Sequence, residues 1–317
     1  PGAVFWMWVS AFLCMMTGCV EKTLAVRYRE KSRDGGWQGG PMCYMERGVG
    51  SRTLAALFSL CCVAASLGGG NVVQANSIAA SLEAAFGWDR LAVGLVVAVL
   101  TGLVLLGGIG RIGRVSETLV PCMALLFIGG GVMVLICHRA AIPEALERIV
   151  TGAVTPKAAL GGGIGYGMAA AMRYGVARGL FSNEAGLGST PHAHALAKVE
   201  RPQDQGAVAI LGVFVDTFVV LTLTGLVLIT SGLIPQGMTG TALTQAAFSQ
   251  AFGGFGPIFI AVCMFFFAFS TIIGWYFFGQ TNFKALFGEK LLPVYSIIVV
   301  AFILVGSTLK VDLVWAL

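Results

Sequence analysis

The fold is decided by residues 179–192, which read GLFSNEAGLGSTPH. This stretch follows an apolar, glycine-rich run over residues 158–176 and precedes an alanine-rich tail over residues 193–197. The pattern predicts a membrane helix that breaks and then resumes. Unwound backbone is tolerated in hydrocarbon only where protein or a watery cavity covers it, and such breaks can hold ions and charged ligands. A cytoplasmic loop between two shorter helices fits the composition equally well.

The composition of the chain is that of an integral membrane protein. Of its 317 residues, 57% are hydrophobic and only 11% are charged, whereas roughly a quarter of the residues of a soluble domain are charged. There is no basic stripe with interleaved aromatic residues, so nothing in the sequence indicates nucleic-acid binding. We therefore predict an all-α protein that crosses the lipid bilayer several times.

Eight segments are interpreted as membrane spans, each of which needs about 20 mainly apolar residues. The connections 21–52 and 110–114 are rich in Lys and Arg, which places them in the cytoplasm. Segments 138–157 and 232–255 are expected on the opposite side, and a ninth span begins near residue 311. The predicted spans are residues 3–20, 53–85, 91–109, 118–137, the broken element 158–197, 205–231, 257–279 and 291–305.

The second span carries amide side chains within its apolar run. Asn71 and Gln74 are three residues apart and share a helix face, while three glycines at 68–70 would let a neighbouring backbone or a ligand come close. Amides within spans mostly form hydrogen bonds between helices, worth about 1 kcal/mol. That structural role and a binding role are equally supported.

Asp216 is the acid that lies squarely within an apolar run. An intramembrane acid is by default a functional-site hypothesis. A structural pairing with Arg173 or Arg178 is the alternative, and the sequence supports it equally.

The span 257–279 contains a second group of side chains that could bind an ion or a ligand. Thr271 and Trp275 are four residues apart and therefore line one helix face. The hydroxyl can ligate a small hard cation, and the indole ring can wall a small organic ligand. This spacing is less routine than the aromatic run Phe265-Phe266-Phe267, which is typical of lipid-facing or packing residues.

Motifs of common enzyme classes are missing from the sequence. It contains no P-loop, no His-Glu-x-x-His and no nucleophile with an adjacent base, so we predict that the protein is not an enzyme. His192 and His194 are two residues apart and are not expected to bind a metal together. The eight cysteines lack zinc spacing and are expected to be small buried hydrophobic residues.

Residues 179–194, GLFSNEAGLGSTPHAH, closely resemble the signature of the alanine-or-glycine:cation symporters. The resemblance covers nearly all 317 residues. The other matching segments are GAVFWMW (2–8), LAVRYRE (24–30), GGPM (39–42), GNVVQANS (70–77), the pair Asp216-Thr217 and STIIGW (270–275).

The resemblance implies a leucine-transporter-like helical bundle with two inverted repeats, in a bacterial inner or plasma membrane. Residues 1–317 are expected to form a single transmembrane transporter domain. It would be a fragment truncated at both ends, with about eight to nine of eleven helices and without the first two. Thr190 and His192 replace residues that are usually smaller or apolar in the family, and Gln280 stands where the family often has an acid.

The resemblance also implies sodium-coupled uptake of alanine or glycine by alternating access, with no cofactor and with sodium as the co-transported ion. Freed amides and carbonyls of the broken helix would hold the two charges of the amino acid. The oligomeric state is not determined. An uncoupled or proton-coupled facilitator, or a transport-inactive membrane scaffold, are the alternatives. The implied substrate residues are Gln74, Phe181, Asn183, Thr271 and Trp275; the implied sodium ligands are Ser270 and Thr271, with Ser182, Asp216 and Thr217 as secondary candidates near an ion path.

Overall fold

A computed structural model describes residues 1–31, 36–105, 107–154, 165–234, 238, 240–310 and 314. Regular secondary structure in these ranges is helical, apart from a short antiparallel hairpin that pairs Glu30 with Gln38 and Lys31 with Trp37. The all-α prediction is therefore confirmed for the part of the chain that the structure describes.

The helices and strands follow one another in a simple order along the chain. Two runs of helix contain a π-helical segment, at Ser66–Val72 and at Val215–Leu221. The elements are α1 Gly2–Arg27, β1 Glu30–Lys31, β2 Trp37–Gln38, α2 Pro41–Arg47, α3 Arg52–Ala65, α4 Val73–Phe86, α5 Arg90–Leu105, α6 Gly108–Cys137, α7 Ile142–Val154, α8 Gly165–Asn183, α9 Pro191–His194, α10 Pro202–Phe214, α11 Thr222–Thr230, α12 Gly240–Phe252, α13 Gly256–Phe287 and α14 Leu292–Thr308.

Six helical stretches among the described residues are long and apolar enough to cross a membrane, which makes this a multi-pass membrane protein. A shorter apolar helix, Arg90–Leu105, corresponds to the predicted third span. Most of the predicted ninth span lies outside the described residues, as does the start of the broken element at 158–164. The six stretches are Gly2–Arg27, Arg52–Phe86, Gly110–Cys137, Pro202–Thr230, Gly240–Phe287 and Glu289–Thr308.

Several predicted loops are helical in the structure. The first helix continues to Arg27, so the polar connection does not begin at residue 21. Residues 110–114 form the first turns of α6 rather than a loop. The segments 138–157 and 232–255, which were predicted to lie on the non-cytoplasmic side of the membrane, are partly helical too, as α7 and α12. Charge alone does not end a helix, because a long charged side chain can reach a partner or solvent while the backbone stays helical.

The cysteines are less uniformly buried than expected. None of the eight forms a disulfide, and Cys14, Cys43, Cys62 and Cys263 are buried. The prediction is wrong for Cys61, Cys122 and Cys137, which are exposed on apolar helices. In a membrane protein an apolar surface can face lipid, so a thiol there need not be buried in protein.

The chain groups into two compact units, and the first comprises Pro1–Tyr44 and Gly130–Gly237. In this unit α1 packs against α7, α8 and α10. Small residues make the close approach to α8 possible, since a Cβ placed at Gly179 would lie 2.8 Å from Ser10 Oγ. The outer face of α1 carries exposed apolar side chains such as Phe12 and Leu13, as expected of a surface in contact with lipid.

The second unit comprises Met45–Gly129 and Met238–Leu317. Helix α13 packs against α3, α4 and α12, and α14 packs against α4 and α5. The π-helical segment at Ser66–Val72 packs against α13 and α14, where Ser66 Oγ lies 2.9 Å from Tyr295 Oη. The expectation of one transporter domain over residues 1–317 stays a prediction.

Candidate functional site

The helix α8 ends where the signature stretch predicted a break. Residues 179–183 are still helical, and the backbone leaves the helix at Glu184, whose φ of 51° is the only positive value among described residues other than glycine. Gly186 and Gly188 follow with φ of 97° and 77°, a conformation that glycine adopts without strain. The predicted resumption is short, because α9 is only four residues long and begins with Pro191 at its first position.

Four of the predicted site residues come together in the first unit. Ser182 Oγ donates to Asp216 Oδ1 at 3.0 Å, and Thr217 Oγ1 donates to Asp216 Oδ2 at 3.3 Å. Asn183 Nδ2 donates to Thr217 Oγ1 at 3.4 Å. The end of α8 is thus joined to the π-helical segment at Val215–Leu221. We refer to Ser182, Asn183, Asp216 and Thr217 as the Asp216 cluster.

Local backbone geometry sets the positions in the Asp216 cluster. A π-helical turn contains one more residue per hydrogen-bonded turn than an α-helix, and such turns occur frequently at functional sites. Thr222 Oγ1 donates to the carbonyl of Thr217 at 3.0 Å, and Trp8 Nε1 donates to Thr222 Oγ1 at 2.8 Å. The segment that carries Asp216 is therefore held by side-chain hydrogen bonds from α11 and α1.

The partners of Asp216 bear on the structural alternative raised by the sequence. Two hydroxyl groups donate to its carboxylate, one from α8 and one from its own segment. Arg173 and Arg178 both expose their side chains. The Asp216 carboxylate and the two hydroxyls therefore form a cluster of hard oxygen atoms, the ligand type suited to small cations.

The amides freed by the break are already occupied. Gly186 N–H donates to Glu21 Oε2 at 2.9 Å, and Gly188 N–H donates to Glu21 Oε1 at 3.1 Å. Ala185 N–H donates to Asn183 Oδ1 at 3.0 Å. The expectation that bare amides here hold a substrate carboxylate is therefore wrong for these three residues, because acids and amides of the protein itself satisfy them.

Among the predicted site residues of the first unit, Phe181 does not belong to the hydrogen-bonded cluster. It lies one position before Ser182 on α8, and 40% of its surface is exposed. Its assignment to a substrate site stays a prediction.

The two histidines after the break contact different partners. No group of three or more His, Cys, Asp or Glu residues suited to a metal ion occurs in the part of the chain that the structure describes. His194 Nδ1 lies 2.6 Å from Gln205 Nε2, and His192 Nδ1 lies 2.7 Å from the carbonyl of Ser189. Burial, with a smaller contribution from the nearby Lys22 charge, lowers the pKa of His194, which lies outside the six candidate spans, to about 4. Its imidazole is thus neutral near pH 7 and can accept from the Gln205 amide.

In the second unit, the hydroxyls of two neighbouring residues share one hydrogen-bond acceptor. Ser270 Oγ and Thr271 Oγ1 each donate to the carbonyl of Phe267, both at 2.9 Å. Because each proton is used in that bond, the lone pairs of both oxygens remain as acceptors. The Ser270 hydroxyl also lies 3.7 Å from Met123 Sδ. This arrangement fits the predicted role of the pair as sodium ligands, which stays a prediction.

Trp275 lies directly over a glycine of the π-helical segment at Ser66–Val72. A Cβ placed at Gly70 would be 2.5 Å from both Cβ and Cγ of Trp275, so only glycine leaves room for the ring. Gln74 is half-buried at the start of α4, and its assignment to the substrate site stays a prediction. Asn71 donates to the carbonyl of Ser66, and its Oδ1 has no partner among the described residues.

One amide of the predicted second span, Asn76 in α4, has a structural role. Asn76 Nδ2 donates to the carbonyls of Gly306 and Leu309, at 2.9 and 2.7 Å. It therefore ties α4 to the end of α14, as amides in spans commonly do.

Sequence reasoning missed Glu21 and Lys22. Both were assigned to a polar connection, yet they lie within α1 with 12% and 3% of their side chains exposed. Lys22 Nζ donates to Glu21 Oε2 at 3.0 Å. The available signal was an adjacent acid and base at the end of an apolar run, which also describes an ordinary helix terminus.

The sequence of the chain is similar over almost its whole length to those of known proteins. The sequence model of the sodium:alanine symporter family matches residues 1–317. The amino-acid carrier protein AlsT of Bacillus subtilis (strain 168) is 42% identical over 318 residues, which cover 99% of this chain and 67% of that protein. The sodium/alanine symporter AgcS of Methanococcus maripaludis is 41% identical over 326 residues, covering 99% of this chain and 70% of AgcS. A Haemophilus influenzae protein named only as an uncharacterized transporter is 40% identical over 319 residues, covering 99% and 70%.

Proposed function

We propose, because this chain belongs to the sodium:alanine symporter family, that it takes up alanine or glycine together with sodium by alternating access. The protein is a transporter and not an enzyme. The observation that supports sodium coupling best is the Asp216 cluster, since it places a carboxylate and hydroxyl oxygens beside the end of a broken helix. We further propose a leucine-transporter-like arrangement and a location in a bacterial cell membrane.

In the first unit, the proposed roles follow from chemistry. A carboxylate supplies negative charge to a cation, and the hydroxyls of Ser182 and Thr217 supply further hard oxygens. We assign Asp216 and these hydroxyls to the ion path, and Asn183 and Phe181 to contact with the amino acid. The Asn183 side chain can both donate and accept, which suits a ligand that carries an ammonium and a carboxylate group.

In the second unit, the proposed roles rest on the oxygens beside Phe267 and on the Trp275 ring. Ser270 and Thr271 are assigned to sodium, because their oxygens are acceptors with the protons directed to a carbonyl. Gln74 and Trp275 are assigned to the amino acid, with the indole ring limiting the size of its side chain. Coupling then requires that the state with both ligands bound be favoured over states with one of them.

The experiment that tests the proposed function is uptake into liposomes that contain the purified chain. We expect labelled alanine or glycine to accumulate against its own gradient when sodium is higher outside. Accumulation should disappear when an ionophore collapses the sodium gradient, and a proton gradient should not replace it. The control is liposomes without protein.

Two other outcomes would favour the alternatives. Equilibration without accumulation would indicate an uncoupled facilitator, and accumulation driven by protons alone would indicate proton coupling. Binding of labelled alanine with no flux under any gradient would indicate a membrane scaffold. Each of these results would contradict sodium-coupled symport.

Replacing Thr271 tests the sodium assignment in the second unit. We expect Thr271→Ala to raise the half-saturating sodium concentration by about tenfold. We take the lost oxygen ligand to contribute about as much as one hydrogen bond, about 1.4 kcal/mol, which corresponds to a factor of ten. A sodium titration of alanine uptake measures this. Thr281→Ala is the matched control, since Thr281 Oγ1 donates to the carbonyl of Phe277 at 2.9 Å on the same helix. An identical sodium titration for the Thr271 variant and the wild type would refute the assignment.

A further inference from the structure

The carboxylate of Glu21, on α1, binds the loop after Asn183. The two oxygens of Glu21 accept separately from the amides of Gly186 and Gly188, at 2.9 and 3.1 Å. Both glycines have positive φ, so the loop backbone turns its amides toward α1. A charged acceptor shared by two amides forms stronger hydrogen bonds than a neutral one would.

The position of the Glu21 carboxylate is itself fixed. Lys22 Nζ donates to its Oε2 at 3.0 Å, and only 12% of the Glu21 side chain is exposed. Moving this carboxylate away would leave the largely buried Lys22 ammonium without its partner, which is costly. The same face of α1 contacts the loop through Gly18, where an added Cβ would lie 3.4 Å from Ala185 Cβ.

A second anchor holds the chain after α9. Arg29 Nη1 donates to the carbonyl of Ala195 at 3.2 Å and to that of Ala197 at 2.6 Å. Its guanidinium lies over the Trp37 ring, 4.3 Å from the ring centroid. An acid therefore binds amides at the start of the segment and a cation binds carbonyls at its end, which matches the polarity of the backbone groups exposed at each place.

We propose that Glu21 is a positioning residue of the transport site: its carboxylate holds the left-handed loop after Asn183 and so fixes Ser182 and Asn183 against Asp216 and Thr217. Arg29 secures the far end of the same segment. The role of Glu21 in the transport site rests on the proposed function, whereas its contact with the loop is a property of the structure alone. It also means that the Gly186 and Gly188 amides serve the protein rather than the substrate.

The test substitutes Glu21 by glutamine, which keeps the shape of the side chain. The amide nitrogen of glutamine cannot accept, so one of the two loop amides loses its partner. We expect hydrogen–deuterium exchange of the full chain, in lipid nanodiscs, to become about tenfold faster in a peptide covering residues 184–190 and to stay unchanged in α10. Glu46→Gln is the matched control, because Glu46 forms an exposed ion pair with Arg52.

A transport measurement on the same variants separates positioning from mere folding. We expect the half-saturating alanine concentration of Glu21→Gln to rise about tenfold, with a much smaller change in maximal rate, since the cluster is loosened but not removed. If the glutamine variant does not fold, Glu21→Asp keeps the charge on a shorter stem, can reach only one amide, and should show the same faster exchange.

The possible results are distinguishable. Unchanged exchange in residues 184–190 of a folded variant would overturn the role of Glu21 in holding the loop. Faster exchange with an unchanged half-saturating concentration would overturn its link to the transport site. A wild-type chain without uptake would overturn the proposed function, and the exchange data would still decide whether Glu21 holds the loop.

Discussion

Replacement of Asp216 by asparagine is expected to lower sodium-dependent alanine uptake by about a hundredfold at subsaturating sodium. Removing one member of a buried charged interaction costs about 3 kcal/mol, and about 1.4 kcal/mol corresponds to a factor of ten. Asparagine keeps an oxygen that can accept from Ser182 and has nearly the same shape. The loss therefore isolates the negative charge that we assign to the ion path.

The measurement is a sodium titration of uptake in liposomes with equal amounts of reconstituted protein. Asp204→Asn is the matched control, since Asp204 is exposed in the first turn of α10, on the same continuous helical run. The control should behave like the wild type. If Asp216→Asn retained the wild-type sodium dependence, the Asp216 cluster would not be part of the ion path.

Replacement of Gly70 by alanine is expected to destabilise the protein by about 1–3 kcal/mol, the usual cost of overpacking. The added methyl group would lie 2.5 Å from two atoms of Trp275, closer than any real contact, so the ring or the π-helical segment must move. Each kcal/mol should lower the thermal midpoint by at most about 2–4 °C, the range for domains of about 150–250 residues, which are shorter than this chain. A displaced Trp275 should also admit larger amino acids as competitors for uptake.

Gly68 offers a control two residues away in the same segment. A Cβ at Gly68 would meet no atom within 4 Å, so Gly68→Ala should leave the midpoint nearly unchanged. Thermal unfolding in detergent and competition of alanine uptake by valine and leucine check the two expectations. Equal midpoints and equal selectivity for the two variants would contradict the close packing of Trp275 on Gly70.

Much of the fold follows from local sequence signals. Low charge and long apolar runs predict a multi-pass membrane protein because hydrocarbon accepts only segments that satisfy their own backbone. Helix starts at Pro191 and Pro202 and the helix end at Gly87 follow from prolines at first positions and from a left-handed glycine. The break after Asn183 was likewise predictable from its glycines and polar residues.

Other predictions failed where tertiary contacts override local preference. The end of the first span was placed before Glu21, since charged residues normally leave the apolar part of a span. In the structure Glu21 and Lys22 stay helical and pair with each other, and Glu21 also accepts from the Gly186 amide. The two π-helical segments had no clear signal either, since one is rich in glycine and the other in β-branched residues.

The sequence by itself determined the membrane class, the approximate spans, the point where α8 ends and, through its signature, the family. Only the tertiary structure decided that Ser182 meets Asp216 across 34 positions of sequence, that Trp275 covers Gly70, and that Glu21 takes the amides of Gly186 and Gly188. The physical reason is the range of the forces involved. Hydropathy and backbone preference act within a few residues. The pairing of buried polar groups depends instead on which helices pack together, and the periodicity of the sequence does not indicate this.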